Sequence, residues 1–249
     1  MDSDTAIEVT NLTKTFRIYH EKKNSLYEYL TSFFNKKRTS EELIVLKDVS
    51  FSVRKGEMLG IIGFNGSGKT TLLKIIAKIY TQDSGVVNTK GRITPFLELG
   101  TGFNGELTAR DNTVIYGVIL GLTKKEIEKK IESIVRFAEL EKFLDTKLKN
   151  FSSGMNARLA FSTAIQVDPD IMLVDEVLSV GDLPFQQKSF NAFMDFKKRG
   201  KTVVFVSHSL ENITRTCDKA LWIHEGRIKA YGDPNTVVEQ YRTFSQKKS

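Results

Sequence analysis

The segment GFNGSGKT, residues 63–70, constrains the fold more than any other part of the chain. Its first and sixth residues are glycines, and a lysine and a threonine follow. The apolar run MLGII comes directly before it, and Leu72, Leu73, Ile75, Ile76 and Ile79 recur at helical spacing after it. A strand, a glycine-rich loop and a helix in this order predict a parallel α/β unit whose loop wraps a phosphate group.

The residue types in this loop indicate how the phosphates are held. Glycines let backbone N–H groups approach phosphate oxygens, and the start of the following helix carries partial positive charge. Lys69 is expected to pair with the β- and γ-phosphates, and the Thr70 hydroxyl with Mg²⁺. The predicted cofactors are therefore ATP and Mg²⁺. The predicted nucleotide-binding residues of the loop are Gly63, Asn65, Gly66, Ser67, Gly68, Lys69, Thr70 and Thr71.

Two later apolar strands end in polar residues that suit hydrolysis. IMLVDE ends in Asp175, which suits Mg²⁺ through water, and Glu176, which suits a general base for the attacking water. VVFVSH ends in His208, which is expected at the same sheet edge within reach of a γ-phosphate. Standing alone, such residues are more often a solvated corner or a surface histidine. The upstream phosphate loop favours the catalytic interpretation, with Lys69 as a fourth catalytic residue.

Composition excludes several classes of protein. The chain has 249 residues, of which 40% are hydrophobic and 27% charged, as expected of a folded globular protein. A single cysteine, Cys217, excludes an internal disulfide framework, and the sequence contains no apolar run of transmembrane length. The basic residues behind the net charge of +7 are interleaved with 30 acidic ones along most of the chain, which favours a solvated surface over binding to nucleic acid or anionic lipid. We expect a cytosolic chain that does not itself span a membrane.

The order of patterns predicts an α/β core that flanks a helical segment. The middle of the chain reads as helical: Thr123 and Glu126 form a capping box before an apolar face that begins at Ile127. A helix is expected from near Pro184 to Gly200, and strands on either side of the helical part predict a parallel α/β core with a helical lobe.

Residues 20–44 interrupt the opening strand region. Within them Leu26, Tyr29, Leu30, Phe33 and Phe34 share one helical face, and the basic run 36–38 follows. This pattern predicts a short amphipathic helix. It either packs on the chain's own core or docks at a membrane surface or a membrane partner.

The motifs together resemble a known family. The loop at 63–70, NFSSGMNARLAFS at 150–162, IMLVDE, SVGD at 179–182 and VVFVSH, in this order and spacing, resemble the nucleotide-binding subunit of an ABC transporter. The resemblance covers nearly the whole chain. It implies a single ABC ATPase domain of the α/β P-loop NTPase (RecA-like) class with an N-terminal antiparallel β region. Residues 1–100 and 166–249 would form the core, and residues 101–165 the helical signature subdomain.

The same resemblance implies further site residues. Ser153 and Gly154 would contact the γ-phosphate of ATP held by the other subunit, although this stretch by itself reads as an ordinary helix cap at Ser152 or Ser153. Asp182 would bridge the two nucleotide sites. Glu98 stands nearest to where the family has a glutamine, and it faces either Mg²⁺ and water or the coupling surface.

An aromatic residue is expected to stack on adenine. The resemblance places Phe16 there, and the alternatives are Tyr19, directly before the segment 20–44, and Tyr27 within that segment.

The form of the signature narrows the family. Phe-Ser-Ser-Gly-Met, together with FLELGTGFNGELTARDN and SVGDLPFQQKSF, resembles the ATPase subunits that export O-antigen, capsular polysaccharide or teichoic acid. This implies a homodimer at the cytoplasmic face of the cell (inner) membrane, joined to two copies of a membrane-spanning permease that handles a lipid-linked glycan. Another transporter class, or a non-transport ABC ATPase acting on DNA, is the alternative. No nucleic-acid partner is expected.

Larger relatives of the O-antigen type carry a C-terminal β-sandwich that binds the end of the polymer. No such domain is expected in the 249 residues. Either the substrate needs no cap recognised by this subunit, or the chain is truncated.

Overall fold

The computed structural model describes residues 2–19, 40–175 and 181–247. The predicted amphipathic face at 26–34 and the predicted base Glu176 lie outside these ranges. The strands described are β1 Thr5–Tyr19, β2 Ser40–Arg54, β3 Met58–Ile62, β4 Ser84–Thr89, β5 Ile93–Phe96, β6 Ile171–Asp175, β7 Thr202–Val206, β8 Lys219–His224 and β9 Arg227–Gly232. The helices described are α1 Lys69–Ile76, α2 Ala109–Ile119, α3 Lys124–Ala138, α4 Ser153–Ala164, α5 Leu183–Lys198, α6 Leu210–Thr216 and α7 Pro234–Gln246. Two short 3-10 helices span Glu141–Phe143 and Leu148–Asn150.

The strands form two sheets. The smaller is antiparallel, in the order β2-β1-β4, and the larger has the order β5-β6-β7-β3-β8-β9. In the larger sheet the first five strands are parallel, and β9 returns antiparallel to β8. Because parallel strands end at one edge, the residues after β3, β5, β6 and β7 are brought to the same side. The predicted mixed α/β architecture with an antiparallel N-terminal region is confirmed.

The central strand β3 separates two cores. Leu59 and Ile61 face one core, which is shared with α1 and the small sheet, whereas Met58 and Ile62 face the other, which holds side chains of α5 and α7. Gly60 lies between Met58 and Ile62 on the same face of β3, and a Cβ at Gly60 would come within 2.8 Å of Cys217 Sγ. The glycine therefore lets α6 and the residue after it pack directly on the strand that leads to the loop.

The middle of the chain is helical, as predicted. The Thr123 hydroxyl accepts a hydrogen bond from Glu126 N, and the Glu126 carboxylate accepts one from Thr123 N at 2.7 Å, so the predicted capping box is present. The apolar side of α3 that begins at Ile127 is buried against α2 and α4. No helix in the described residues combines the length and the apolar character that crossing a membrane requires.

Three predicted boundaries are wrong. Helix α1 ends at Ile76, and Ile79 lies beyond it and is exposed, because Lys78 adopts a φ of 61° that turns the chain. Strand β7 ends at Val206, so His208 follows the strand rather than ending it. There the Ser207 hydroxyl accepts a hydrogen bond from Ser209 N and forms a turn before α6. Residues 40–44 belong to β2, not to the predicted interruption, because they pair with the end of β1.

Candidate nucleotide site

The glycine-rich loop joins β3 to α1 in a conformation that requires glycine at both ends. A Cβ on Gly63 would lie 2.2 Å from the carbonyl oxygen of Ile223. Gly68 has a φ of 106°, and a Cβ there would lie 2.9 Å from the carbonyl oxygen of Val45. The loop is therefore held between β8 on one side and β2 on the other.

Lys69 ties the loop together. Its side chain is buried in the loop, and its ammonium donates to the carbonyl oxygens of Gly63 at 2.9 Å and Phe64 at 3.0 Å. A buried ammonium requires hydrogen-bond acceptors or negative charge. These two hydrogen bonds therefore hold the loop in a curved conformation around the Lys69 ammonium.

Ser67 supplies an observation that fits a phosphate. Its hydroxyl is buried, with the residue only 5% exposed, and it makes no hydrogen bond to any of the residues that the structure describes. A buried hydroxyl without a partner is unfavourable by about 1–3 kcal/mol. A phosphate oxygen seated in the loop would satisfy it, so the residues present fit the predicted nucleotide.

Thr70 and Asp175 meet at the sheet edge. The Thr70 hydroxyl donates to Asp175 Oδ2 at 2.7 Å, across 105 positions of sequence. Helix α1 presents the threonine from its first turn, and β6 ends at the aspartate. Hydroxyl and carboxylate oxygens are the ligands that Mg²⁺ prefers. The pair therefore fits the predicted metal.

Glu98 follows β5 at the same edge and is paired with a residue of α1. Its Oε1 lies 2.8 Å from Lys74 Nζ. The hydrogen bond from this ammonium lowers the pKa of the Glu98 carboxyl, and the same bond raises the pKa of Lys74. Because Lys74 lies one helical turn after Thr70, the ion pair holds Glu98 on the face of α1 that carries the threonine.

His208 lies beyond the carboxyl end of β7, next to β6. Asp175 pairs with Val206 in the parallel ladder, and His208 is exposed two residues further on. The topology therefore brings the loop, Asp175, Glu98 and His208 to one edge of the sheet.

The second glycine-serine segment begins a helix. Ser152 is the N-cap of α4, and its hydroxyl accepts a hydrogen bond from Met155 N at 3.1 Å. The ordinary cap expected at Ser152 or Ser153 is therefore formed by Ser152. Ser153 is exposed at the first helical position, and Gly154 has no atom outside its own segment close to where a Cβ would stand. Both lie at the partially positive end of α4.

Asp182 caps α5 and contacts α4. Its Oδ1 accepts a hydrogen bond from Phe185 N at 3.2 Å and another from Arg158 Nη2 at 2.7 Å. The hydrogen bond from Phe185 N is the main cause that lowers the pKa of Asp182, and the charge of Arg158 adds to it. The sequence interpretation missed Arg158, although its position one turn after Gly154 places it on the same face of α4.

Phe16 lies in β1 beside an aromatic residue that the sequence interpretation also missed. Its ring meets the ring of Tyr80 edge to face, with centroids 5.6 Å apart, and Lys14 Nζ lies 5.2 Å from the Phe16 centroid. The side chains of the two alternatives, Tyr19 and Tyr27, lie outside the described residues.

Comparison with known proteins agrees with this geometry. The ABC transporter family model matches residues 46–179. The O-antigen export system ATP-binding protein RfbB of Klebsiella pneumoniae is 40% identical over 95% of this chain and 97% of its own length. The teichoic acids export ATP-binding protein TagH of Bacillus cereus is 38% identical over 96% of this chain, which spans 42% of that protein.

Solved structures show the same fold. An ATP-binding cassette determined as a dimer in a post-hydrolysis state with ADP and phosphate superimposes with a TM-score of 0.71 at 22% identity, over 92% of this chain and 98% of that one. With the family match and the relatives above, the assignment rests on sequence and fold together. The chain belongs to the ABC transporter family and is an ATP-binding subunit that hydrolyses ATP.

Proposed function

We propose that this chain is the motor of an exporter that moves a lipid-linked polysaccharide, of the O-antigen or capsule type, or a teichoic acid across the cytoplasmic membrane. The observation that carries the ATPase chemistry is the hydrogen bond from Thr70 to Asp175, beside the loop that Lys69 holds closed. The class of cargo is supported by the exporters named among the relatives.

In this proposal the loop binds the phosphates of ATP. Backbone N–H groups of the loop and of the first turn of α1 are proposed to donate to the phosphates, and the Ser67 hydroxyl would gain the hydrogen bond that it lacks. The Lys69 ammonium turns from loop carbonyls to the β- and γ-phosphates. Mg²⁺, when bound, neutralises negative charge on the phosphates. Thr70, Asp175 and Glu98 are the residues proposed to hold it.

Water activation is assigned to residues at the end of the same strands. Glu176 is adjacent to Asp175 in sequence and is proposed as the general base. His208 is proposed to contact the γ-phosphate from the segment after β7. Phe16 is proposed to stack on adenine, and its contact with Tyr80 supports an aromatic surface at that position.

The second half of each site is proposed to come from another copy of the chain. Ser153 and Gly154 present the positive end of α4, and Asp182 joins α4 to α5 through Arg158. The helices between residues 101 and 165 are proposed to form the signature subdomain, and residues 1–100 and 166–249 the core. Two such chains with two copies of a membrane-spanning permease would place the dimer at the cytoplasmic face of the membrane.

The cargo is tested in the host cell. Deleting the gene for this chain is expected to leave the lipid-linked polymer inside the cytoplasmic membrane, where surface labelling of intact cells with a glycan-specific lectin does not reach it. Wild-type chain should restore labelling, and the Lys69→Ala variant should not. Undiminished labelling in the deletion strain would show that this chain does not drive the export of that polymer.

A further inference from the structure

Phe64, the second residue of the loop, connects the loop to the C-terminal helix α7. Its ring centroid lies 5.3 Å from that of Tyr241 and 6.4 Å from that of Phe244, both on α7. Its carbonyl oxygen accepts hydrogen bonds from Lys69 Nζ at 3.0 Å and from Ser67 N at 3.2 Å. One residue therefore has its side chain among the aromatics of α7 and its backbone in the hydrogen bonds that shape the loop.

The contact belongs to a larger aromatic cluster. Phe244 lies 4.8 Å from His224 and 5.3 Å from Trp222, between ring centroids, and Tyr241 lies 5.6 Å from Trp222. Trp222 and His224 are buried near the end of β8. We name Phe64, Trp222, His224, Tyr241 and Phe244 the aromatic brace. Since aromatic pairs prefer defined edge and tilted geometries, the brace fixes the direction in which Phe64 leaves the loop.

The brace acts on a loop with little room to move. The close approach of Gly63 to the Ile223 carbonyl seats the start of the loop on β8, directly beside Trp222 and His224. Helix α7 is anchored at its other end by Val237 and Val238, which are buried against the sheet. A displacement of the last turns of α7 would therefore be transmitted through Phe64 to the carbonyl that accepts from Lys69.

We propose that α7 sets the conformation of the phosphate loop through the aromatic brace, and thereby sets the affinity for ATP. Phe64 is a positioning residue: it acts through Lys69 and the loop backbone. The inference rests on the proposed role of residues 63–70 in binding the phosphates. It makes the C-terminal helix a point from which nucleotide binding is adjusted.

The test measures equilibrium binding of Mg·ATP to the full chain with Phe64→Leu, Phe244→Leu and the double variant. Each single change should weaken binding about threefold to tenfold, the equivalent of one aromatic pair. The double variant should bind Mg·ATP no more weakly than the weaker-binding of the two single variants, because both changes break the same contact between the loop and α7. Leucine keeps most of the buried volume, so the variants should fold.

Trp222 provides a second readout, since it is the only tryptophan of the chain and lies in the brace. Its fluorescence should change when Mg·ATP binds to the wild type, and this change should be lost in Phe64→Leu. The matched control is Phe193→Leu, which removes a buried ring of the same core, 5.3 Å from Phe205. This control should lower the melting temperature while leaving ATP affinity and the fluorescence change intact.

Two results would overturn the proposal: wild-type affinity in Phe64→Leu, or additive losses in the double variant with the fluorescence change preserved. The Lys69→Ala variant shows whether a negative result disproves the role of α7 or the phosphate-binding role of residues 63–70. If Lys69→Ala binds ATP normally, the phosphate assignment of the loop is wrong. If Lys69→Ala loses binding while the brace variants do not couple, only the role of α7 is wrong.

Discussion

At the residue scale, the contact between Thr70 and Asp175 makes the sharpest prediction. Thr70→Val keeps the shape of the side chain and removes the hydroxyl that donates to Asp175 at 2.7 Å. ATPase activity should fall by about a hundredfold, as for the loss of one preorganised polar group. Thr70→Ser, which keeps the hydroxyl, should retain most of the activity. Titration with Mg²⁺ should show a higher half-saturating concentration for Thr70→Val alone; equal Mg²⁺ dependence in both variants would contradict the metal role.

Lys69 makes a second prediction at this scale. Lys69→Ala removes the ammonium that donates to two loop carbonyls. The loop therefore loses both of these hydrogen bonds and the positive charge that attracts phosphate. Hydrolysis should fall by about a hundredfold or more. Lys125→Ala, which removes an exposed lysine of α3, is the matched control and should hydrolyse ATP as the wild type does. Steady-state phosphate release measures both.

The pair formed by Glu98 and Lys74 explains why a charge is tolerated at that position. The sequence alone does not decide whether Glu98 faces the metal or the coupling surface, because the lysine that pairs with it, Lys74, lies 24 positions away on α1. The ammonium keeps the carboxyl ionised by lowering its pKa. The contribution of this ionised group to stability is present at neutral pH and is lost as the pH falls through the lowered pKa.

At the element scale, the packing of α6 on β3 predicts an unreactive thiol. Cys217 is buried against Gly60, and burial raises the pKa of its thiol to about 12. At pH 8 a thiol reagent should label it only as fast as the chain unfolds. Stoichiometric labelling of the native chain within minutes would contradict this packing.

The same thiol predicts the alkaline behaviour of the chain. The unfolded thiol ionises near its ordinary pKa of 9.0, whereas the native thiol keeps its proton to about pH 12. Its contribution to stability is therefore complete below pH 9 and is lost as the pH rises toward 12. Cys217→Ala should show a shallower fall in the free energy of unfolding over this range, measured by urea denaturation. An identical fall in both chains would contradict the assignment.

Elements with a local signal could be predicted from sequence. The capping box of α3 and the loop after β3 have short-range causes: side chains that bond their own backbone, and glycines at fixed spacing. The end of α1 could not be predicted, because it depends on a positive φ at Lys78, a residue type that carries no turn signal. The apolar spacing therefore extended the predicted helix to Ile79.

Contacts between distant segments also could not be predicted from the sequence. The approach of Arg158 to Asp182 and of Phe64 to α7 depends on how the helices pack on the sheet. In contrast, placing Asp175 and His208 at one edge required only the rule that parallel strands end together. The sequence predicts a cap at Ser152 or Ser153, and in the structure the cap is Ser152 because its hydroxyl accepts a hydrogen bond from Met155 N.

At the scale of the whole molecule, each hydrolytic event is proposed to require two chains. The loop at 63–70 and the start of α4 are separate features of one chain, and the loop of one copy is proposed to meet Ser153 and Gly154 of another. ATPase activity should therefore rise faster than linearly with the concentration of the chain, since assembly follows mass action.

The most direct test mixes two inactive chains: Lys69→Ala, and a chain carrying both Ser153→Ala and Gly154→Asp. In a mixed dimer, one composite site combines an intact loop with an intact α4 terminus. We predict that each chain alone is inactive and that the mixture recovers part of the wild-type ATPase activity. If the mixture stays inactive while wild-type activity is strictly proportional to concentration, each chain holds a self-contained site, and a site shared between two chains is contradicted.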